Sequence, residues 1–385
     1  MTALMDMEAV NRRILDRRLA NRSLPPYRAA LTSEITEMLS GFFDTARPGA
    51  TISGVRRVGG GASKEQFFFT LADTGPDTGG TEQYLLRMDP RLAITETDRG
   101  REFTLLQAMR GVVPVPEAVW VDANADFFPQ PAAIMKVVTG VTKPSDAGIK
   151  VSGLGTWLGP DLRAKLRDQF MDHLVTIHGF DWRAAEMPGY EVPDADAKQA
   201  ARWSYNYWRD LWQIDDGKAR PIISLAEQWL ADNMPDCSEL VLTHGDYRTG
   251  NYLFEEASGR VTALLDWELA RIGDYHEDLA WVLMQVFGTF DNGTFRASDL
   301  FEREDFIRTY EQRSGRSVNR QTLHYYDVMS SWKCYIITAA NGMAAARSQH
   351  NHQDVLLTFL ATTNAMFADD LVRLLADDSA QGDAA

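Results

Sequence analysis

Two short polar loops, each preceded by a short apolar run, constrain this chain more than any other feature. The run 240–243 leads into the loop His-Gly-Asp-Tyr-Arg-Thr-Gly-Asn, which contains Asp246 and Asn251, and the run 261–265 leads into Asp266. Apolar runs of this length bounded by turn residues are typical of buried strands. We therefore expect two strand ends to bring these three polar side chains together.

The three side chains match the needs of phosphoryl transfer. One carboxylate has to orient a substrate hydroxyl and accept its proton, and two further oxygen ligands have to hold magnesium on the nucleotide phosphates. In this interpretation Asp246 faces the acceptor, and Asn251 and Asp266 face the metal. Gly245 permits the tight backbone, and His244 braces the loop by hydrogen bonding and packing. The alternative is that these residues only form turns, as Asp, Asn and Gly at strand ends commonly do.

The pattern of the chain changes near residue 140, from strands around one helix to long helices. The predicted strands are 51–58, 66–71, 83–88, 118–121 and 132–138, and the predicted helices are 95–110, 162–177, 197–212 and 222–234. The sequence predicts four segments: 1–45, a helical N-terminal extension; 46–140, an N-lobe that binds nucleotide; 141–375, a C-lobe for catalysis and acceptor binding; and 376–385, a flexible tail. The predicted fold class is α+β with two lobes.

Composition narrows the function classes. The 385 residues include two cysteines without metal-binding spacing and no apolar run of membrane-spanning length, so we expect neither a zinc site nor a membrane span nor a secretory signal, and a cytoplasmic location. Residues 1–140 hold 16 basic and 17 acidic residues, so nearly all of the net charge of −15 belongs to residues 141–385. An acidic lobe disfavours nucleic acid and anionic membrane as partners and favours a cationic substrate or metal ions. The alternative is surface charge that serves solubility.

Further motifs follow the two loops, and together they resemble the aminoglycoside phosphotransferase and choline kinase superfamily, relatives of the protein kinases. The residues that carry the resemblance are His244, Gly245, Asp246, Asn251, Asp266-Trp267-Glu268, Gly273-Asp274 and Asp278-Leu279-Ala280-Trp281. The resemblance covers roughly residues 50 to 350. The patterns around Arg87 and Asp266 also look like the branch associated with acyl-CoA dehydrogenases.

The resemblance implies a bilobal protein-kinase-like fold, with a small N-terminal antiparallel-sheet lobe and a larger, mainly helical C-terminal lobe. It also implies ATP (or GTP) with Mg²⁺ and transfer of the γ-phosphoryl group to a hydroxyl of a small molecule. By the same resemblance Asp246 is the catalytic base, and Asn251 and Asp266 are magnesium ligands. Asp278 is expected to brace the catalytic loop from the next helix, and Glu268 to lie just behind the metal ligands.

The first lobe offers the other parts that a nucleotide kinase needs: a cover over the phosphates, a cation for them, and a helical carboxylate that holds the cation. The predicted cover is Gly59, Gly60, Gly61, Ala62 and Ser63, although such a cluster is also an ordinary hairpin turn. Arg87 is the predicted cation, where relatives commonly carry lysine, and Lys64 is the reserve candidate. Glu102 shares a helix face with apolar residues and is the predicted partner of Arg87. The alternative for Glu102 is an exposed helix edge.

The adenine ring needs an apolar slot beside a strand edge that presents backbone N–H and C=O groups. The strand-like segment ending in Met135, Lys136, Val137 and Val138 connects the two lobes, and we assign the adenine contacts to its backbone. The same side chains are equally suited to plain core packing.

The sequence therefore predicts an ATP- and Mg²⁺-dependent phosphotransferase acting on a small-molecule hydroxyl. Aminoglycoside-like and hydroxyacyl acceptors stay open. A pseudokinase that binds nucleotide and acts by association is the alternative, favoured only by Arg87 in place of lysine. A protein kinase is disfavoured because Asp278 follows Asp266 by only 12 positions, which leaves no room for a peptide-docking segment.

Overall fold

A computed structural model describes residues 6–25, 28–59, 64–73, 80–146, 154–215, 218, 220–342 and 358–382. None of the helices in these ranges is long and apolar enough to span a bilayer.

The first part of the chain forms an antiparallel sheet with helices around it. In chain order the elements are α1 (Ala9–Asn21), α2 (Thr32–Ala46), β1 (Thr51–Arg57), β2 (Glu65–Asp73), β3 (Gly80–Met88), α3 (Arg99–Met109), β4 (Ala118–Asp122) and β5 (Ala132–Lys136). The strand order is β1-β2-β3-β5-β4, and every neighbouring pair is antiparallel. Alternate residues of β2 and β3, such as Phe67, Phe69 and Leu86, pack with Leu39 and Phe43 of α2, which explains the alternating apolar pattern.

Helix α3 begins at Arg99, four residues after the predicted start at 95, and Asp98 caps it. The side chain of Asp98 accepts a hydrogen bond from the backbone N–H of Arg101 at 3.0 Å, which satisfies one of the free donors of the first turn. Glu102, Leu106 and Met109 are all buried on one face of the helix. The prediction that a carboxylate shares an apolar face is confirmed, and Glu102 is therefore not an exposed edge residue.

The second part is mainly helical. Its helices are α4 (Gly159–His178), α5 (Gln199–Asp215), α6 (Pro221–Asp232), α7 (His276–Val282), α8 (Arg303–Ser314), α9 (Arg320–Tyr335) and α10 (Asn364–Gly382), and its strands are β6 (Leu240–Thr243), β7 (Tyr252–Phe254), β8 (Val261–Leu264), β9 (Arg271–Asp274), β10 (Thr289–Asp291) and β11 (Thr294–Arg296). A π-helical turn, Ile336–Asn341, continues α9. Helix α10 extends to Gly382, into the segment for which the sequence predicts a tail.

Two strand pairs bring the polar loops together. Strand β6 pairs with β9, with Thr243 opposite Arg271, and β7 pairs with β8, with Tyr252 opposite Leu264. The loop 244–251 runs from β6 to β7, and the segment 265–270 runs from β8 to β9. Both connections therefore lie at the same end of both pairs.

The N-terminal helices do not project from the molecule. Arg18 of α1 is 1% exposed, and its guanidinium contacts Glu96 at 2.7 Å and Asp215 of α5 at 2.6 Å. Helix α1 thus joins the segment before α3 to the helical lobe, while α2 completes the core of the sheet.

Candidate active site

Three hydrogen bonds from described residues reach the carboxylate of Asp246. Arg248 Nε and Trp281 Nε1 donate to Oδ1 at 2.8 and 2.6 Å, and Asn251 Nδ2 donates to Oδ2 at 2.6 Å. The Asp246 side chain is still 19% exposed, so a small acceptor can reach it. The Arg248 guanidinium lies over the Phe287 ring, 4.7 Å from its centre, which fixes one wall beside the carboxylate.

The backbone of this loop depends on Gly245, whose φ is +81°. An added Cβ would lie 2.6 Å from the carbonyl oxygen of Leu269 and 2.7 Å from its Cβ. The loop 244–251 therefore touches the segment 265–270 directly, and only glycine permits that approach.

We expect Gly245→Ala to lower the free energy of unfolding by about 2–4 kcal/mol, because the variant adds backbone strain and a steric conflict. Gly293→Ala is the matched control, since Gly293 has nearly the same φ, +83°, but open space around its Cα. Urea unfolding measures the free energy of unfolding of both variants. The loss in Gly293→Ala reports backbone strain alone, and the additional loss in Gly245→Ala reports the steric conflict with Leu269. Equal losses in the two variants would contradict the close approach to Leu269.

Asp278 braces the start of the loop, as expected. Its carboxylate accepts hydrogen bonds from the backbone N–H groups of His244 and Gly245, each at 2.7 Å, and lies 3.1 Å from His178 Nε2. Burial alone would raise the pKa of Asp278, but the His178 hydrogen bond, the two imidazoles and the backbone donor lower it. The ionised carboxylate thus holds two backbone donors that would otherwise be buried without partners.

His244 supports the loop from inside. Its ring lies 4.4 Å from the Trp267 ring, and its Nδ1 is 3.3 Å from the backbone N–H of Asp246. The residue is fully buried, and burial lowers the pKa of His244, which favours the neutral imidazole. These contacts agree with a bracing role rather than contact with substrate.

Asp266 follows β8 in a left-handed conformation, with φ 60° and ψ 56°. The backbone N–H of Leu265 donates to the carbonyl of Asn251 at 2.8 Å, which ties the two predicted metal ligands to adjacent strand ends. The Asp266 carboxylate accepts a hydrogen bond from Arg87 Nη2 at 2.8 Å. Burial would raise the pKa of Asp266, but the charges of Arg87 and Arg248 lower it below its usual range.

Arg87 links the two lobes. Its Nη1 is 3.3 Å from Glu102 and its Nη2 is 2.8 Å from Asp266, and the guanidinium is almost completely buried. Glu102 also pairs with Arg99, which in turn contacts Asp89 at 2.6 Å. The predicted pairing of Arg87 with Glu102 is present, and the contact of Arg87 with Asp266 is an addition that the sequence analysis missed.

Lys64, the reserve cation, is fully buried beside the same segment. Its Nζ lies 3.2 Å from Asp89 and 3.3 Å from Glu268, and donates to Thr97 Oγ1 at 3.0 Å. Burial raises the pKa of Glu268 even though the Lys64 charge opposes the rise. Lys64 therefore holds Glu268 in place, two residues beyond Asp266.

The predicted nucleotide cover falls mostly outside the described ranges. Gly59 is described and follows β1, whereas Gly60, Gly61, Ala62 and Ser63 lie outside the described residues. Their assignment to the phosphates stays a prediction.

The strand assigned to adenine is β5 and the residues after it. Met135 is buried, and the Lys136 ammonium turns to Glu82 at 3.1 Å and Glu117 at 3.6 Å. The backbone N–H of Lys136 donates to the Glu117 carbonyl and that of Val137 to the Gln83 carbonyl. The backbone N–H groups of Lys136 and Val137 are therefore already bonded to neighbouring residues. Among the residues assigned to adenine, this leaves the backbone of Val138 as the better candidate contact.

Three residues beside Asp246 escaped the sequence analysis as functional residues. Arg248 and Trp281 donate to its carboxylate, and Lys333 of α9 donates to the carbonyl of Gly245 at 3.1 Å. The available signal for Lys333 was a lysine that is the one charged residue in the C-terminal half of α9, residues 328–335. Trp281 belongs to a motif that carries the family resemblance, but only tertiary contact reveals that it and Arg248 reach Asp246.

The donor set fits a magnesium ion. No cluster of three or more His, Cys, Asp or Glu side chains that could hold a metal occurs among the described residues. Mg²⁺ on a nucleotide does not need one, since it commonly takes one or two protein oxygens and fills its octahedron with phosphates and water. The carboxylate of Asp266, whose pKa is lowered, and the amide oxygen of Asn251 would supply these protein oxygens. In the structure the Asp266 carboxylate is paired with Arg87.

The lobe with the antiparallel sheet carries a glutamate of α3 in an ion pair. The helical lobe beside it carries Asp246, Asn251 and Asp266 on two loops. Together these features are those of a kinase-like small-molecule phosphotransferase. The chain belongs to the phosphotransferase enzyme family, whose family model matches residues 54–317. The resemblance to this family and the predicted α+β bilobal fold class are confirmed.

Solved structures share the fold. A ternary complex of the aminoglycoside phosphotransferase APH(4)-Ia with AMP-PNP and hygromycin B aligns with a TM-score of 0.56 at 15% identity, over 88% of this chain and 98% of that one. Choline kinase from Cryptosporidium parvum aligns with a TM-score of 0.51 at 14% identity, over 89% and 97%.

Among curated proteins, acyl-CoA dehydrogenase family member 11 from Gallus gallus is 26% identical over 335 residues. The match covers 79% of this chain and 39% of that protein, so the chain spans about two fifths of the relative's length.

Proposed function

We propose that this chain transfers the γ-phosphoryl group of ATP, with Mg²⁺, to a hydroxyl of a small molecule. The observation that carries the proposal is the joint placement of Asp246, Asn251 and Asp266: a 2.6 Å hydrogen bond joins the first two, and a backbone hydrogen bond ties the end of β8 to Asn251. Nucleotide in the APH(4)-Ia complex supports ATP as the donor.

In this proposal Asp246 orients the acceptor hydroxyl and takes its proton. The hydroxyl oxygen forms the new bond to the γ-phosphorus, the bond from that phosphorus to the β–γ bridging oxygen breaks, and ADP leaves with the electron pair. Mg²⁺ held by Asn251 and Asp266 would neutralise phosphate charge. Arg87, held by Glu102, points its fork of donors toward the same place and suits phosphate oxygens.

The acceptor is open between two chemical classes. Hygromycin B in the APH(4)-Ia complex supports a cationic aminoglycoside, and the acidic second part of the chain agrees with it. The match to an acyl-CoA dehydrogenase family member supports a hydroxylated acyl compound. Both carry the hydroxyl that Asp246 requires.

The test has two stages. Calorimetry with ATP in the presence and absence of Mg²⁺ measures nucleotide binding, and transfer from γ-labelled ATP to hygromycin B, choline and short hydroxy acids measures activity. We expect Mg²⁺-dependent binding and labelled product from at least one acceptor. Asp327→Asn is the control variant, since Asp327 of α9 pairs with Arg303 of α8 and is not among the proposed site residues. Absence of transfer to every acceptor would refute the proposal, whether or not ATP binds.

One observation favours a second candidate, a nucleotide-binding pseudokinase. Arg87 contacts Asp266 at 2.8 Å, so a protein cation already neutralises a predicted metal ligand. Tight binding of ATP that ignores Mg²⁺, together with no transfer to any acceptor, would favour this candidate over the enzyme.

We expect Arg87→Ala to weaken MgATP binding by about 10-fold or more, because it removes a bidentate phosphate donor. The fold should persist, since Glu102 keeps its ion pair with Arg99. Calorimetry with MgATP measures the change, and Arg56→Ala, an exposed arginine on the edge strand β1 of the same sheet, is the control. Equal affinities in the two variants would remove Arg87 from the nucleotide site.

A further inference from the structure

One of the three donors to Asp246 has no role in the reaction described so far. Trp281 of α7 is 4% exposed, and its indole Nε1 donates to Asp246 Oδ1 at 2.6 Å. Arg248 donates to the same oxygen, whereas Oδ2 receives one hydrogen bond from the described part of the chain, that of Asn251. Since a carboxylate oxygen has two lone-pair sites, Oδ2 keeps capacity for a substrate proton.

Lys333 holds the indole from its other side. The Lys333 Nζ lies 4.1 Å from the centre of the Trp281 ring and donates to the carbonyl of Gly245. The side chain is 3% exposed, and in the described part of the chain no carboxylate lies within ion-pair distance of it. A buried cation over a ring face fixes that ring, since the attraction is strong where water is excluded.

The arrangement makes the orientation of Asp246 depend on an aromatic side chain. Lys333 contacts the peptide just before Asp246 and also the ring that donates to its carboxylate. Movement of the indole would remove one of the two described donors to Oδ1, leaving Arg248, and would weaken the restraint on rotation of the carboxylate about χ2, which is a soft torsion.

We propose that Trp281 is a positioning residue for the catalytic base: its indole N–H holds Oδ1 of Asp246, so that Oδ2 faces the acceptor hydroxyl, and Lys333 holds the indole. The proposal rests on the phosphotransferase function proposed above. Trp281 does not touch the reacting atoms and acts through Asp246.

The kinetic test compares Trp281→Phe with Trp212→Phe. Trp212 is 3% exposed and also lies near a cation, Arg220, at 5.5 Å, but its ring centre lies 6.1 Å from that of Tyr335, and its indole is not among the described donors to Asp246. The assay uses MgATP and the best acceptor among hygromycin B, choline, short hydroxy acids and water. We expect Trp281→Phe to lower kcat about 10- to 100-fold, because the variant loses one hydrogen bond to a charged group. The KM for MgATP should stay within about twofold, because the indole does not contact nucleotide in this scheme.

A second readout does not depend on turnover. In ¹⁵N-labelled protein the indole N–H signal of Trp281 is the one that disappears in Trp281→Phe. In the wild type we expect the chemical shift of this indole proton far downfield, as in short hydrogen bonds to a carboxylate. In Asp246→Asn we expect it to move upfield, while the indole signal of Trp212 keeps its chemical shift.

The outcomes separate the two proposals. Transfer in the wild type with equal kcat losses in the two tryptophan variants would exclude the positioning role and leave the phosphotransferase function standing. An indole signal that ignores Asp246→Asn would exclude the role as well. No transfer by the wild type to any acceptor would remove the function and the positioning role with it, even if the indole signal shows the hydrogen bond.

Discussion

Replacing Asp266 is expected to lower phosphoryl transfer at least about 10³-fold, because in the proposed function Asp266 supplies the carboxylate ligand for the metal on the nucleotide. Asp266→Asn keeps the shape of the side chain and tolerates the left-handed backbone, whose φ is 60°. Asp266→Ala adds a backbone cost of about 1 kcal/mol. Single-turnover transfer from γ-labelled ATP measures the loss in both variants.

Folding should survive the change. Arg87 keeps Glu102 as its partner when Asp266 is removed, so no buried cation is left alone. The control is Asp327→Asn on α9, whose carboxylate pairs with Arg303 outside the site. Turnover within tenfold of the wild type in Asp266→Asn, with a normal far-UV spectrum, would contradict the metal assignment.

The placement of the two polar loops was predictable because it is local. The sequence places Asp246 and Asn251 on one loop and Asp266 after the next strand, and the pairs β6–β9 and β7–β8 put both connections at one end. The burial of Glu102 was predictable for a similar reason, since helical spacing alone puts it on the face shared by Leu106 and Met109.

The contacts that no local pattern encodes were missed. Arg87 reaches Asp266, 179 positions away in sequence, and Trp281 reaches Asp246 only because α7 follows β9, the partner of β6. Lys333 lies on α9, and its amine is placed by packing against the ring of Trp281. Partners at such separations follow from tertiary structure, whereas spacing rules describe one element at a time.

Asp246→Asn is expected to lower kcat about 10²- to 10⁴-fold, the usual contribution of a positioned general base. The amide has one oxygen and one NH₂ group. Its oxygen would face the two donors from Arg248 and Trp281, and its NH₂ would then face Nδ2 of Asn251, whose distance from Asp246 Oδ2 is now 2.6 Å. Two donors cannot share that contact, so Asn251 would turn its oxygen toward position 246 and away from the metal.

A double variant separates the loss of the base at position 246 from the loss of the Asn251 oxygen on the metal side. Asp246→Asn combined with Asn251→Asp restores a donor and an acceptor across the same contact and returns a carboxylate oxygen to the metal side. We expect the single variant to bind MgATP several-fold more weakly than the wild type, and the double variant to recover that affinity within about threefold by calorimetry.

Transfer should stay low in both variants, because neither has a carboxylate at position 246 to take the acceptor proton. Recovery of turnover together with affinity in the double variant would show that Asp246 serves only to orient Asn251, and that the proton leaves by another route. Recovery of affinity alone assigns the base to Asp246 and the metal contact to Asn251, since the two measurements then respond to different atoms of the same hydrogen-bonded pair.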